Sequence, residues 1–312
     1  EQEQAPTAAA AALEPWQALV LLLLEAVPGL VHRLSHREAS SLLWALGALG
    51  GPRRHPAVGR LAAKMRQFFS GEGEALTPAS VANALWGMAR LGERPLGPWL
   101  QEFEQATARG GLLRRASGAE LSSVAWALAA MRLRPSAEWL QATLQGAIAA
   151  TFGGAGIAHG TTAGAATSAG ADAGVNAASA SRLLWACAVL HLPLQPATRA
   201  ALSRTLQAAS GGAPAAEAAS SHHAASISLW SLARLRMRPS PALLDSLLSA
   251  SQAAMPQGSA QAAANALWAL GQLGRRPPGA WLSACLACLR RHAAAGSLAP
   301  RELAMSLQAL GE

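Results

Sequence analysis

Apolar residues recur along this chain at steps of three and four, and the runs they form are near-copies of one phrase. It reads LLWALGALG at 42–50, ALWGMARLG at 84–92, VAWALAAMR at 124–132, LLWACAVLH at 183–191, SLWSLARLR at 228–236 and ALWALGQLG at 266–274. Trp44, Trp86, Trp126, Trp185, Trp230 and Trp268 hold the same place in it, and a seventh copy, MSLQALGE at 305–312, has Gln308 there. In 81–92 the apolar steps are Val81, Leu85, Met88 and Leu91, with Thr77-Pro78 to cap and open the run and Gly92 to stop it, which predicts an α-helix. Ser35 and Glu38 form a capping box ahead of the first copy. A second phrase, Pro-x-x-x-Trp-Leu or a close relative, carries Trp16, Trp99, Trp139 and Trp281. There Pro98 opens a helix with Trp99, Leu100 and Phe103 on one side and Gln101, Glu102 and Glu104 mostly on the other. No stretch alternates with period two, so strands are not expected.

Successive first-phrase positions lie 42, 40, 59, 45, 38 and 40 residues apart. An internal repeat of this length outranks the prior of about two globular domains that length alone suggests. The predicted fold is all-α: an α-solenoid of about seven antiparallel helix pairs in repeats of 38–42 residues, stacked into a right-handed superhelix or arc. The repeats run 1–50, 51–92, 93–133, 134–191, 192–236, 237–274 and 275–312, as a single array over 1–312. The Gly/Ala/Ser/Thr segment 153–178 reads as a flexible low-complexity insertion, because it has too little apolar surface to offset its ordering entropy. The shorter 210–219 reads the same way. The chain starts without Met and ends at a helix without a polar cap, which reads as an excerpt of a longer protein.

Composition narrows the function. The net charge is +8 and the pI about 11.2, although only 13% of residues are charged, and Lys64 is the one lysine. Either a GC-rich coding bias or an anionic partner accounts for that arginine content. Cys187, Cys285 and Cys288 cannot form a disulfide framework, and the Cys285/Cys288 pair with His292 reads as packing within a helix rather than as a metal site. His32 and His36, one turn apart, read as a solvated pair at a helix start. The run 18–26 is too short to span a bilayer and contains Glu25. No catalytic frame, phosphate-binding loop or nucleotide fingerprint is present. The expectation is a non-enzyme with no cofactor, metal or membrane span.

Numbered from the first-phrase Trp as zero, positions −5, −1, +2, +3 and +6 form an apolar arc with the Trp at its edge. Positions −7, −6, −3, +1 and +4 face away, and −7, −3 and +4 vary between repeats. A constant core beside a varied polar stripe suits a modular reader of a linear ligand. The base-reading candidates are Ser41, Asn83, Arg90, Ser123, Arg182, Arg234, Asn265 and Gln272. The loops that follow carry Arg53, Arg54, Arg94, Arg132, Arg134, Arg236, Arg238, Arg275 and Arg276, each cluster just before a helix whose first-turn N–H groups seek partners. Arginine beside a helix N-terminus is a phosphate site, and once per repeat it matches one phosphate per nucleotide. The tryptophans are expected to fill gaps between helix pairs rather than to stack bases.

The phrases VANALWGMARLG at 81–92, AAANALWALGQLG at 262–274, RPSAEWL at 134–140 and RPPGAWL at 276–282 resemble the octotricopeptide repeat. The resemblance covers all seven repeats and is eroded in two, where Thr198 and Leu243 stand in place of the second-phrase Trp. It implies a green-algal protein, related in architecture to pentatricopeptide-repeat and FAST-kinase-domain proteins, that binds single-stranded organellar RNA. The implied roles are mRNA stability, processing or activation of translation, in the chloroplast or alternatively the mitochondrion, with other proteins of an RNA–protein complex as possible company. No RAP segment is present to imply a nuclease. The competing reading is a protein-binding helical scaffold without RNA contact.

Overall fold

The computed structural model describes residues 15–71, 75–95, 97–153, 176–209 and 218–311. Most of the 153–178 and 210–219 insertions lie outside the described residues, as does the side chain of Trp16. Every regular element among the described residues is helical, and the fold is an all-α helical repeat. The chain divides into two compact units, Glu1–Arg109 and Gly110–Glu312.

In the first unit α1 (Pro15–Leu30), α3 (Pro56–Phe69) and α5 (Gly97–Ala108) form one layer, and α2 (His36–Ala48) and α4 (Pro78–Leu91) form the other. The second unit repeats the scheme. Its first layer is α6 (Gly118–Ala130), α9 (Ala177–Leu190), α11 (Ala218–Arg234), α13 (Ala260–Gln272) and α15 (Pro300–Gly311), each packed against the next. Behind it lie α7 (Ala137–Trp139) with α8 (Gly146–Gly153), then α10 (Pro196–Ala209), α12 (Pro241–Ala254) and α14 (Gly279–Ala294). A π-helical turn, Leu140–Gln145, joins α7 to α8 with helical backbone on both sides. The first phrase therefore always occupies one layer and the second phrase the other.

Local chemistry sets both ends of the first-phrase helices. Ser35 caps α2 and Glu38 reaches back to the Ser35 N–H at 2.8 Å, the capping box read from the sequence. Ser117 and Glu120 do the same for α6, Thr77 and Ser80 for α4, and Asn176 and Ser259 cap α9 and α13. At the other end, each of the six Trp-bearing helices closes with an N–H to C=O bond of 2.8–3.0 Å spanning five residues, such as Glu93 to Met88 and Met237 to Leu232. That closure needs a left-handed residue at position +6.

The core follows the arc expected at three of its positions. Positions −5, −1 and +2 are buried in all six Trp-bearing repeats, from Ala39, Leu43 and Leu46 in α2 to Ala263, Leu267 and Leu270 in α13. Position +1 was expected to face away, yet Gly87, Ala127, Ala186, Ser231 and Ala269 are buried. The reason is that first-phrase helices pack side by side, so their flanks are covered as well as their backs. Small residues at the flanks let them approach closely, and the Ser181 and Ser228 hydroxyls meet at 2.8 Å across the α9–α11 seam.

The second-phrase tryptophans fill the space between layers. Trp99, Trp139 and Trp281 are 4%, 4% and 0% exposed. The Trp99 indole donates to the Ala62 carbonyl at 3.0 Å and that of Trp281 to the Ser251 hydroxyl at 2.7 Å, so each buried N–H has a partner. Phe69, Trp99 and Phe103 form a ring cluster with centroids 4.9–5.7 Å apart. On the outside, Arg66 of α3 grips Glu102 of α5 through two contacts of 2.7 Å and holds that carboxyl below its ordinary pKa.

His36 corrects the sequence reading. It is fully buried, edge-on to Phe68 at 5.8 Å, while His32 is exposed, so the two do not form a solvated pair. Packing of α2 on α3 covers the start of α2, which a local reading does not see. Cys187, Cys285 and Cys288 are buried, and burial pushes the Cys187 and Cys285 thiols up to about 12. They pack as small apolar residues. Both ring nitrogens of His292 are engaged, with Ser297 at 2.8 Å and the Gly258 carbonyl at 3.0 Å. No helix among the described residues is long and apolar enough to cross a membrane.

A candidate nucleic-acid interface

The first-phrase tryptophans are not core residues. Trp44 is 48% exposed, and Trp86, Trp126, Trp185, Trp230 and Trp268 are half-buried. This overturns the expectation that both sets of tryptophans fill gaps between helix pairs. Helix geometry gives the reason. Steps of 100° bring positions −7, +4 and −3 to within about 60° of the Trp. The Trp therefore shares the varied stripe, and that stripe is the one face left open by flanking and backing helices.

Within each unit, helix packing turns these stripes into a row. In the first unit Trp44 and Trp86 lie 6.2 Å apart between ring centroids, tilted by 33°. The row also holds exposed Ser41, half-buried Asn83 and exposed Arg90, whose guanidinium sits 5.6 Å over the Trp86 ring. In the second unit Trp230 and Trp268 repeat the relation at 6.4 Å and 35°. There the row holds half-buried Ser123, Arg182 and Asn265 at position −3, with exposed Arg234 and Gln272 at position +4. Each of the eight base-reading candidates thus lies on the open row of its own unit. The residues missed were the tryptophans between them, although the angular arithmetic already placed them there.

The nine loop arginines, Arg53, Arg54, Arg94, Arg132, Arg134, Arg236, Arg238, Arg275 and Arg276, are all exposed at the C-terminal ends of the first-phrase helices. The helix N-termini beside them are less open than expected. His55, Ser136 and Ser240 accept the first-turn N–H of Ala57, Trp139 and Leu243, so α3, α7 and α12 are capped by their own residues. At α14 the N-cap is Pro278, which provides no side-chain cap. The positive character of this rim rests mainly on guanidinium groups.

Position +6 adds a feature invisible in the spacing. It is left-handed in every Trp-bearing repeat, with Gly50, Gly92 and Gly274 at φ of 69°, 69° and 62°. In the three middle repeats it is Arg132, His191 and Arg236, at 54°, 57° and 52°. A side chain there strains the backbone, whereas glycine does not. His191 thus supplies a ring where the fourth loop lacks arginine. Arg236→Gly is expected to stabilise the chain by about 1 kcal/mol and raise its melting temperature. A lower melting temperature would show that the Arg236 side chain holds the fold together.

Residues 2–133 match the model of the family described as "Tbc2 translation factor, N-terminal domain". The match covers less than half of the chain and includes all but the first residue of the first unit. No curated protein matches the chain. The likeness to octotricopeptide repeats is one of sequence phrases, and the family match does not specify it.

Proposed function

We propose that the chain binds single-stranded RNA of an organelle, in the chloroplast or alternatively the mitochondrion, and supports the stability, processing or translation of that transcript. The observation that carries this reading is the open row in each unit: aromatic faces at one position, varied polar groups beside them, and arginines along the rim. Aromatic faces hold unstacked bases whatever their sequence, polar neighbours discriminate among them, and arginines take phosphates. The family match supports a role in translation, since that family is described as a translation factor. The octotricopeptide-like phrases support the organelle. The chain acts as a binding module and not as an enzyme, together with other proteins of an RNA–protein complex.

Filter binding across a salt series tests the reading. If about five or six phosphates are engaged, log K falls against log salt with a slope of about −3.5 to −4 for a single strand. Replacing Arg275 and Arg276 together should flatten that slope by about 1.5 and weaken all RNAs alike. A flat response with the unaltered chain would overturn the phosphate contacts and favour a protein-binding scaffold.

A further inference from the structure

Among the position −3 residues of the open row, Arg182 is the one cation. The others are Ser41, Asn83, Ser123, Ile227, Asn265 and Met305. Its side chain is half-buried on α9, one turn before Trp185. Its Nε is buried and has no hydrogen-bond partner. One terminal nitrogen makes a long 3.4 Å contact with the Ser179 hydroxyl, and no carboxylate pairs with it among the described residues. Burial also lowers its pKa, as expected for a cation kept partly from water without an anion to offset the loss.

A guanidinium in that condition is out of balance in the free protein. Buried donors are nearly always satisfied, and a desolvated charge without a partner is costly. Within the described residues the guanidinium has no anion, and its terminal nitrogens, on a half-buried side chain one turn before Trp185, are the donors that a ligand on the open face can meet. A phosphate would be met at the rim, where the loop arginines are exposed. At position −3 the neighbouring group is an aromatic face, so the ligand part that arrives is a base. Among bases, guanine offers two acceptors, O6 and N7, spaced to match the arginine fork. In a single strand that edge is free to be read.

We propose that Arg182 is a specificity-determining residue that selects guanine at the nucleotide held by the fourth repeat, through its O6/N7 edge. This rests on the RNA-binding reading above. The Ser179 hydroxyl touches one terminal nitrogen of the fork, and Trp185 supplies the stacking face. Ile227, the next residue in the same column, offers no hydrogen bond, so the neighbouring nucleotide should be read loosely.

The test selects RNAs from a random pool with the unaltered chain, R182Q and R182K. The unaltered chain should enrich a guanine at one fixed position of its consensus. R182Q should lose that preference, weakening RNAs that carry the guanine more than RNAs that lack it. R182K should keep binding and lose most of the discrimination, since an ammonium lacks the planar fork. A second measurement needs no variant to fold. Replacing the selected guanine by 7-deazaguanine removes N7 and should weaken binding to the unaltered chain by roughly 10-fold or more, with no further effect on R182Q. Equal weakening of every RNA by R182Q would make Arg182 a phosphate contact and overturn the assignment. An unchanged guanine preference would overturn it too. Absence of any enriched RNA from the unaltered chain would instead overturn the RNA reading itself, and the assignment with it.

Discussion

Alanine at Trp268 is expected to remove much of the RNA affinity and little of the stability, and alanine at Trp281 the reverse. The two residues lie thirteen positions apart on consecutive helices, at the end of one repeat and the start of the next. Trp281 is fully buried and donates to Ser251 at 2.7 Å. Its removal opens a cavity between the layers and takes the Ser251 hydroxyl's donor away, which costs about 3–5 kcal/mol. Trp268 is half-buried, meets Trp230 at a tilt, and lies on the open face. A base stacked on an aromatic ring is worth about 1–3 kcal/mol, a loss of roughly 5- to 150-fold in affinity. Thermal melts and filter binding on both variants separate the two roles. If Trp268→Ala melts as low as Trp281→Ala, the first-phrase tryptophans are packing residues after all.

The second large effect is expected in the first unit, at the α2–α4 crossing. A methyl group at Gly87 would overlap the Leu43 carbonyl and come within 2.9 Å of the Trp44 nitrogen, all of it backbone. A flexible side chain could move aside, but a helix backbone cannot without shifting the whole seam. Gly87→Ala should therefore destabilise by about 1–3 kcal/mol, the usual range for overpacking, despite the better helix propensity of alanine. At Gly47, facing it, the added carbon would sit 3.1 Å from the Gly87 Cα and 3.2 Å from the Arg90 Cβ, so Gly47→Ala should cost less. Gly59 is the control. Its nearest neighbour would be a Glu93 carboxylate oxygen at 3.8 Å, so Gly59→Ala in mid-α3 should stabilise by about 0.5–1 kcal/mol. Denaturant melts should rank the three in that order. Equal stability for Gly87→Ala and the unaltered chain would mean that α2 and α4 slide freely.

A displaced seam would also move Trp44 relative to Trp86. Their 6.2 Å spacing is set by how closely the helices carrying them can approach, and glycine at 47 and 87 sets that approach. The small flanking residues thus govern the open row without touching any ligand. In the second unit the counterparts of Gly87 at position +1 are the larger Ala127, Ala186, Ser231 and Ala269.

The sequence by itself determined the period, the helices and their ends. Each of those depends on contacts within about four residues, such as Ser35 with Glu38, Thr77 with Ser80, or Gly92 closing on Met88. It also determined which candidates share an open face, because position along a helix sets direction. Only the tertiary structure decided what each face meets. Trp268 and Trp281 are chemically identical, and hydrophobicity alone assigns both to the interior. Burial is a property of the neighbouring helices, and for α9, α11 and α13 these cover both flanks and the back and leave the fourth side open. The same cause buries His36 while His32 stays exposed. It also leaves Arg182 half-buried with its Nε unsatisfied, since only packing could take that nitrogen from water without bringing it an acceptor.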